Sequence, residues 1–416
     1  MAKVKITGHA SGSGVLTITA PNTSTDRTVT LPDSTGTLLD TTSGLDATKL
    51  SGNLPAINGA SLTNLPSKGK NLVINGAMQV AQRSTGTVAQ ANDSNEGYAT
   101  LDRYSLEFGN SAGGTITTSQ DTESPTGFGT SYKLNVTTAD TSVDTNHIVF
   151  VRHSIEAQNM RQSGWDYTSS SSNITLSFWV KNSKTGIYCA SVFLSDSGSR
   201  MYTTEYTVSQ ANTWEKKTIT MPGDSNLVFN NDTGDGLAIY FMLANASGRQ
   251  GVAGAWGTNR YGTSNQVNFL DSTSNVAYIT GIQLEVGSVA TDFEHRSYGE
   301  ELALCQRYCQ VWAEAGDALC VAGKGQGSTA IDFLWPLAVP LRASPTVSQT
   351  GSGWRAFRPT ANLVQSSATP TVTRFGGTHP FLGLRSSSYP SSSFTNNYVT
   401  NIGPHGLSKF IFDSEL

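Results

Sequence analysis

The chain has 416 residues, with 27 Lys and Arg against 31 Asp and Glu, 14% charged residues and a formal net charge of −4. That balance excludes a nucleic-acid groove, which needs clustered Lys and Arg to neutralise phosphates, and no apolar run approaches the roughly 20 residues of a membrane-spanning helix. Ser, Thr and Gly are abundant and aromatics stand at 9%, the composition of an all-β chain with many turns rather than of a helical enzyme or a disordered tail.

The N-terminal stretch is defined by what it lacks. No Phe, Trp or Tyr occurs before Tyr98, and aromatics dominate the buried area of ordinary cores. A segment so poor in bulky side chains is expected to hold its shape by association with other chains. The runs 14–20 and 27–31 read as strands, separated by Pro21-Asn22-Thr23-Ser24 and followed by a turn at 32–36. They predict a small β module over 1–40. Leu50, Leu54, Ile57, Leu62 and Leu65 recur between Gly, Pro and Asn at uneven spacing, which predicts an extended shaft over 41–70. The leader has no basic stretch followed by an apolar run, so no secretory signal is expected.

From 71 to 297 aromatic and β-branched strands appear at the spacing of a jelly-roll sandwich. Strands are predicted near 72–82, 102–108, 132–138, 147–155, 174–181, 187–194, 201–208, 214–221, 237–243 and 276–286. Leu176, Phe178 and Val180 alternate with polar residues, apart from Trp179, marking one core face and one mostly solvated face. The longest notable apolar run is 238–244. A helix is predicted from Ser297 to Glu314, filling most of a connecting segment 298–316. Ser297 is its N-cap, Glu300 and Glu301 complement its dipole, and Leu302, Cys305, Cys309 and Trp312 form its apolar stripe. Strands return over 317–416, near 330–336, 355–358, 372–375 and 407–412, as a second β-domain. Its break-rich stretch 337–345 reads as an irregular connection, and 323–329, which looks superficially like a phosphate loop, as a glycine-rich β-turn.

The residues Asn71-Leu72-Val73-Ile74-Asn75-Gly76-Ala77-Met78-Gln79-Val80-Ala81-Gln82-Arg83, Gly281-Ile282-Gln283-Leu284-Glu285-Val286-Gly287-Ser288 and Phe293-Glu294-His295-Arg296-Ser297-Tyr298 resemble the opening and close of a module found in phage tail-fibre and receptor-binding proteins, a kind common in marine phages and cyanophages. The stretches 300–308 and 28–38 also resemble parts of such fibres. The resemblance implies a homotrimeric virion fibre assembled in the host cytoplasm. Its 1–40 module would mount on a tail or baseplate protein, its jelly roll would be carbohydrate-binding-module-like, and the distal 317–416 domain would bind host-surface polysaccharide. A polysaccharide-cutting tail spike and a capsid-decorating fibre are the rival readings.

No catalytic constellation stands out: GxSxG and HExxH are missing, and neither enzyme activity, a metal nor a cofactor is expected. Asp271, Glu285, Asp292 and Glu294 are the acids that could supply a glycosidase pair. Asp224, Asp232 and Asp235 share a loop, but without EF-hand spacing. His147 and His153 read as ordinary half-buried histidines, and Cys189, Cys305, Cys309 and Cys320 as reduced thiols. Sugar binding needs aromatic faces and a few polar groups. The candidates are Trp165 and Tyr167 in one loop, and Arg249, Trp256, Arg260 and Tyr261 in the loop 246–265. In the C-terminal domain they are Trp354, Arg355, Arg374, His379, Arg385, Tyr389 and Tyr398. About half of the C-terminal aromatics must form that domain's own core.

Overall fold

A computed structural model describes residues 69–416, apart from 93–95, 111, 259, 314–320, 352, 358–362, 376–380, 391–393, 395–398 and 405–407. The expected module 1–40 and nearly all of the shaft 41–70 lie outside these residues, as do His379, Tyr398 and Cys320.

The chain is all-β, with twelve strands forming a sandwich. They are β1 (Val88–Gln90), β2 (Ser105–Gly109), β3 (Thr115–Asp121), β4 (Ser131–Thr138), β5 (Ile148–Glu156), β6 (Asn173–Asn182), β7 (Gly186–Leu194), β8 (Arg200–Val208), β9 (Glu215–Pro222), β10 (Asp235–Asn245), β11 (Ala255–Thr258) and β12 (Val276–Val286). Two six-stranded antiparallel sheets run β1-β3-β4-β12-β6-β9 and β11-β8-β7-β10-β5-β2. Alternation puts Leu134, Leu176, Phe178 and Val180 of the first sheet against Tyr188, Val192, Ile239 and Phe241 of the second, all buried in one core. The other face of β6 is less solvated than its alternation predicts, because Thr175 and Ser177 are buried as well.

Residues 72–82, expected as a strand, form none. Asn75 and Met78 sit at φ of 61° and 57°, which breaks the extended repeat, and the segment works instead as a latch. The buried Asn71 side chain donates to the Ile282 carbonyl at 3.1 Å and accepts from the Val73 and Leu284 amides. Leu72 N–H donates to Leu284 O, and Ile282 N–H to Gly76 O, both at 2.9 Å. Glu294 accepts from the Gly69 and Asn71 amides, and Arg296 donates to the Asn71 and Val73 carbonyls. The chain therefore enters and leaves the sandwich at one point.

A one-turn helix, α1 (Ala157–Arg161), follows β5, and helix α2 (Tyr298–Gln306) begins as expected, with Ser297 and Glu300 closing a capping box. It ends early. Cys309–Ala313 is a strand, β13, paired with β22 (Lys409–Asp413). Cys309 and Trp312 thus leave the predicted helical stripe, because the run Val311-Trp312 finds Phe410 and Ile411 across a ladder, and pairing overrides helix propensity. The remaining strands are β14 (Val321–Gln326), β15 (Ala330–Pro336), β16 (Thr346–Thr350), β17 (Trp354–Phe357), β18 (Leu363–Ser366), β19 (Thr371–Phe375), β20 (Phe381–Ser386) and β21 (Val399–Pro404). They give a three-stranded sheet, β13-β22-β16, and a seven-stranded one, β18-β17-β21-β14-β15-β20-β19. Their core holds Trp335, Trp354, Phe410, Phe412 and Leu384. The glycine-rich stretch is the β14–β15 hairpin, with Gly327 at φ 67°.

Charged groups join this second β-region to the sandwich. Arg103, fully buried, pairs with Glu415 and lies 3.4 Å from the Tyr308 ring centre. Arg83 reaches Asp413 at 2.8 Å and Glu415 at 3.4 Å, and Arg307 grips Glu156 through two bonds of 2.7 and 2.9 Å.

Candidate ligand-binding surfaces

The second sheet of the sandwich is apolar on both faces. On β5, β7 and β10 the residues facing away from the main core include Phe150, Cys189, Ala238, Tyr240 and Met242, which form a separate buried cluster with Phe193 and Tyr261 packed against it. The rings of Phe193 and Tyr240 stack at 5.7 Å and 14°, those of Tyr240 and Tyr261 at 6.0 Å and 3°, and Phe150 leans on Tyr240 at 4.4 Å. Phe193 and Tyr261 are half-buried, so the two ends of this row keep part of their rings in solvent. Burial raises the Tyr240 hydroxyl well above its usual range and keeps it a neutral donor.

The loop 246–265 crosses this face. Ser191 Oγ donates to the Tyr261 carbonyl at 2.6 Å, Thr203 to that of Arg260, and Tyr261 N–H to Arg249 O at 2.9 Å. The Arg249 guanidinium sits 5.9 Å from the Tyr261 ring centre. Beside the row, Arg152 pairs with Asp235 at 2.5 Å. Arg249 and Tyr261 thus meet at one surface, as the sequence grouped them. Arg260 flanks it, donating to Gln250 O at 2.6 Å. Trp256 turns away, edge-on to Tyr202 at 5.2 Å, with its indole N–H on Pro222 O at 3.0 Å.

Other candidates are structural. Trp165 is 3% exposed and donates to Ser172 O, while Tyr167 meets Phe229 edge-on at 4.9 Å; together they plug an end of the sandwich. Trp354 is fully buried, edge-on to Trp335 at 5.4 Å. Tyr389 is 3% exposed, edge-on to Phe394 with its hydroxyl on Ser386. None of these three buried rings offers a face to a ligand. Arg355 is half-buried on β17, between the core residues Trp354 and Ala356.

Arg374 and Arg385 do come together. They line a groove of about 720 Å³ on the outer face of the seven-stranded sheet, with Lys324, Asp332, Leu334 and Gly383. Arg385 clasps Asp332 through two bonds of 2.6 and 2.9 Å.

The acids weighed for catalysis hold the fold. Asp271 pairs with Lys184 and accepts from Asn275. Glu285 accepts from Gln283 and Thr291, and Glu294 belongs to the latch. Asp292 contributes its backbone carbonyl to Lys70 at 2.6 Å. Asp224 pairs with Arg200 and Asp235 with Arg152. Among the described residues no cluster of three His, Cys, Asp or Glu could hold a metal. His147 is half-buried with its Nδ1 accepting from Asp144 N–H, whereas His153 is fully buried against Ile74. The sequence missed Phe150, Phe193, Tyr240 and Arg152. Their signal was the unbroken apolar run 238–244, the mark of a strand covered on both faces.

No family model matches the chain, and no curated protein does. Among solved structures, the enzymatically active domain of tailspike protein 4 from bacteriophage CBA120 is 16% identical over 52% of this chain and 22% of its own, with a TM-score of 0.28. The chain therefore spans about a fifth of that protein's length. A CBM4 structure is 13% identical over 52% of this chain and 99% of its own, TM-score 0.26. The family 11 carbohydrate-binding module of the cellulase Lic26A-Cel5E of Clostridium thermocellum is 13% identical over 51% and 99%, TM-score 0.26. All three scores lie below the level at which a shared fold follows.

Proposed function

We propose that this chain is a subunit of a homotrimeric phage virion fibre that adheres to host-surface polysaccharide without cleaving it. The observation that carries the adhesive reading is the row Phe193–Tyr240–Tyr261 on the outer face of the second sheet. Half-buried rings at its ends offer apolar faces to the C–H faces of sugars, and Arg249, Arg152 and Asp235 supply polar partners at its rim. The fibre reading rests on the sequence resemblance at 71–83 and 281–298, whose residues meet in the latch. In this reading residues 1–40 mount the fibre on the virion and 41–70 form its shaft. Three weak sites on one stalk then act through effective concentration rather than tight individual binding. The non-cleaving reading is supported by the structural duties of Asp271, Glu285 and Glu294.

Binding of the full chain to host envelope polysaccharide tests this. Tyr261→Ala and Phe193→Ala are each expected to weaken binding about tenfold, equivalent to roughly 1.4 kcal/mol, with a lowered thermal midpoint but a cooperative melt that keeps the chain folded at the assay temperature. Undiminished binding by both variants would remove the row as the site. New reducing ends released from the polysaccharide would establish cleavage instead, and a monomer in sedimentation would dispose of the trimer.

A further inference from the structure

We propose that the outer face of the C-terminal seven-stranded sheet is a second binding site, for an acidic polysaccharide bearing carboxylate or sulfate groups. The proposal deepens the adhesive reading above and rests on it. Register places Lys324 opposite Asp332, Asp332 opposite Arg385, and Arg385 opposite Thr371, a row of polar side chains across β14, β15, β20 and β19. Beside it run Leu334, Gly383 and Arg374. Their strand neighbours Ile331, Phe333, Val372, Leu382 and Leu384 pack into the core, so these two rows face outward. Gly383 opens the groove between them: a Cβ there would meet Arg374 Cβ at 2.8 Å.

Charge selects the occupant. The groove is lined by three cations, Lys324, Arg374 and Arg385, against one carboxylate, Asp332, in a chain whose net charge is −4. Asp332 is committed to Arg385. Among the described residues Lys324 and Arg374 have no ion-pair partner, which leaves two cations for an anionic ligand. Leu334 and Phe381 stand 57% and 50% exposed on the same face, apolar surface suited to the C–H side of a sugar ring. The groove volume is within the roughly 300–1,000 Å³ of small-ligand sites. A second copy docked face to face would set these cations against their own counterparts, which disfavours that occupant.

The test measures binding of the full chain to polygalacturonate and to dextran sulfate, with plain dextran as the neutral comparison. Binding to one or both acidic polymers, falling as NaCl is raised, and none to dextran is expected; which polymer binds distinguishes carboxylate from sulfate. The double variant Lys324→Ala, Arg374→Ala is expected to lose at least about tenfold in affinity with an unchanged thermal midpoint and sedimentation coefficient, and Lys324→Arg with Arg374→Lys to keep binding. Undiminished binding by the alanine variant overturns the proposal, and so does a change in its oligomeric state, which would make the groove an interface between copies. Wild-type chain that ignores both acidic polymers yet binds host polysaccharide overturns the groove site and leaves the adhesive reading standing; failure to bind any of them removes both.

Discussion

His153 points inward from β5 and is fully buried, 5.1 Å from the Tyr104 ring and hydrogen-bonded to the Ile74 backbone. Burial, reinforced by the nearby charge of Arg103, holds its pKa at about 3. Between about pH 3 and 6.5 the unfolded chain therefore carries a proton on this residue that the folded one does not. Stability contributed by the neutral ring is complete above pH 6.5 and falls on acidification with a slope that approaches about 1.4 kcal/mol per pH unit. Asp102 has the opposite sign. Burial lifts it to about 6 against the pull of Arg83, so the folded state holds a proton there that the unfolded state has released, and this offsets the histidine across much of that window. Asp102→Asn is thus expected to lose stability more steeply between pH 7 and 5 than the wild type, read by urea unfolding at both pH values; an equal slope would contradict the assignment. Nothing in the sequence around His153 announces this. Its burial comes from Ile74 and Arg103, long-range neighbours that strand periodicity does not reveal. The same holds for Trp165, Trp354 and Tyr389. An aromatic among Ser and Gly looks like a loop ligand until the elements that bury it are placed.

At the scale of elements, β12 shows how local chemistry shapes a strand. Its ladder with β6 shifts register between Thr280 and Gln283, and Gly281 sits there at φ 62°. A Cβ at that position would lie 2.6 Å from Phe128 Cζ and 2.9 Å from Trp179 Cδ1, so backbone conformation and packing both demand glycine. Gly281→Ala is expected to cost about 2 to 4 kcal/mol in denaturant midpoint, with the m-value unchanged; a loss under about 1 kcal/mol would mean that the bulge relaxes. Strands with clean alternation or β-branched runs, such as β4, β6 and β12, were legible in the sequence because their pattern is local. So was the capping box that starts α2. The helix end was not, since its periodic continuation through Trp312 is decided by Phe410, nearly a hundred residues away. The latch segment also misled. Its apolar residues at 72–74 look strand-like, but they are flanked by Asn71 and Asn75, whose side chains bond to distant backbone. The motifs that resemble fibre proteins are largely these closing residues, so they mark how a module shuts and carry no information on what it holds.

Over the whole described structure, the two β-regions meet through charge more than through apolar contact. Arg103 faces Glu415 and Tyr308, Arg83 faces Asp413 and Glu415, and Arg342 donates to the Thr233 carbonyl at 2.7 Å. Removing one partner strands a buried cation, which costs far more than the intact pair contributes. Glu415→Ala is expected to destabilise by about 3 to 5 kcal/mol and to split a single calorimetric transition into two, as each β-region melts by itself. A variant that still melts in one step would show that the junction draws its strength from elsewhere. Where the chain enters and leaves the sandwich has a mechanical consequence. Gly69 and Asn71 are bonded to Glu294, and Asn71 and Val73 to Arg296, so tension between the segment preceding Gly69 and α2 crosses a bridge a few residues wide. The twelve strands hang beside that line like a weight beside a taut cable, and a pull between Gly69 and α2 leaves both sheets slack until the bridge itself gives way.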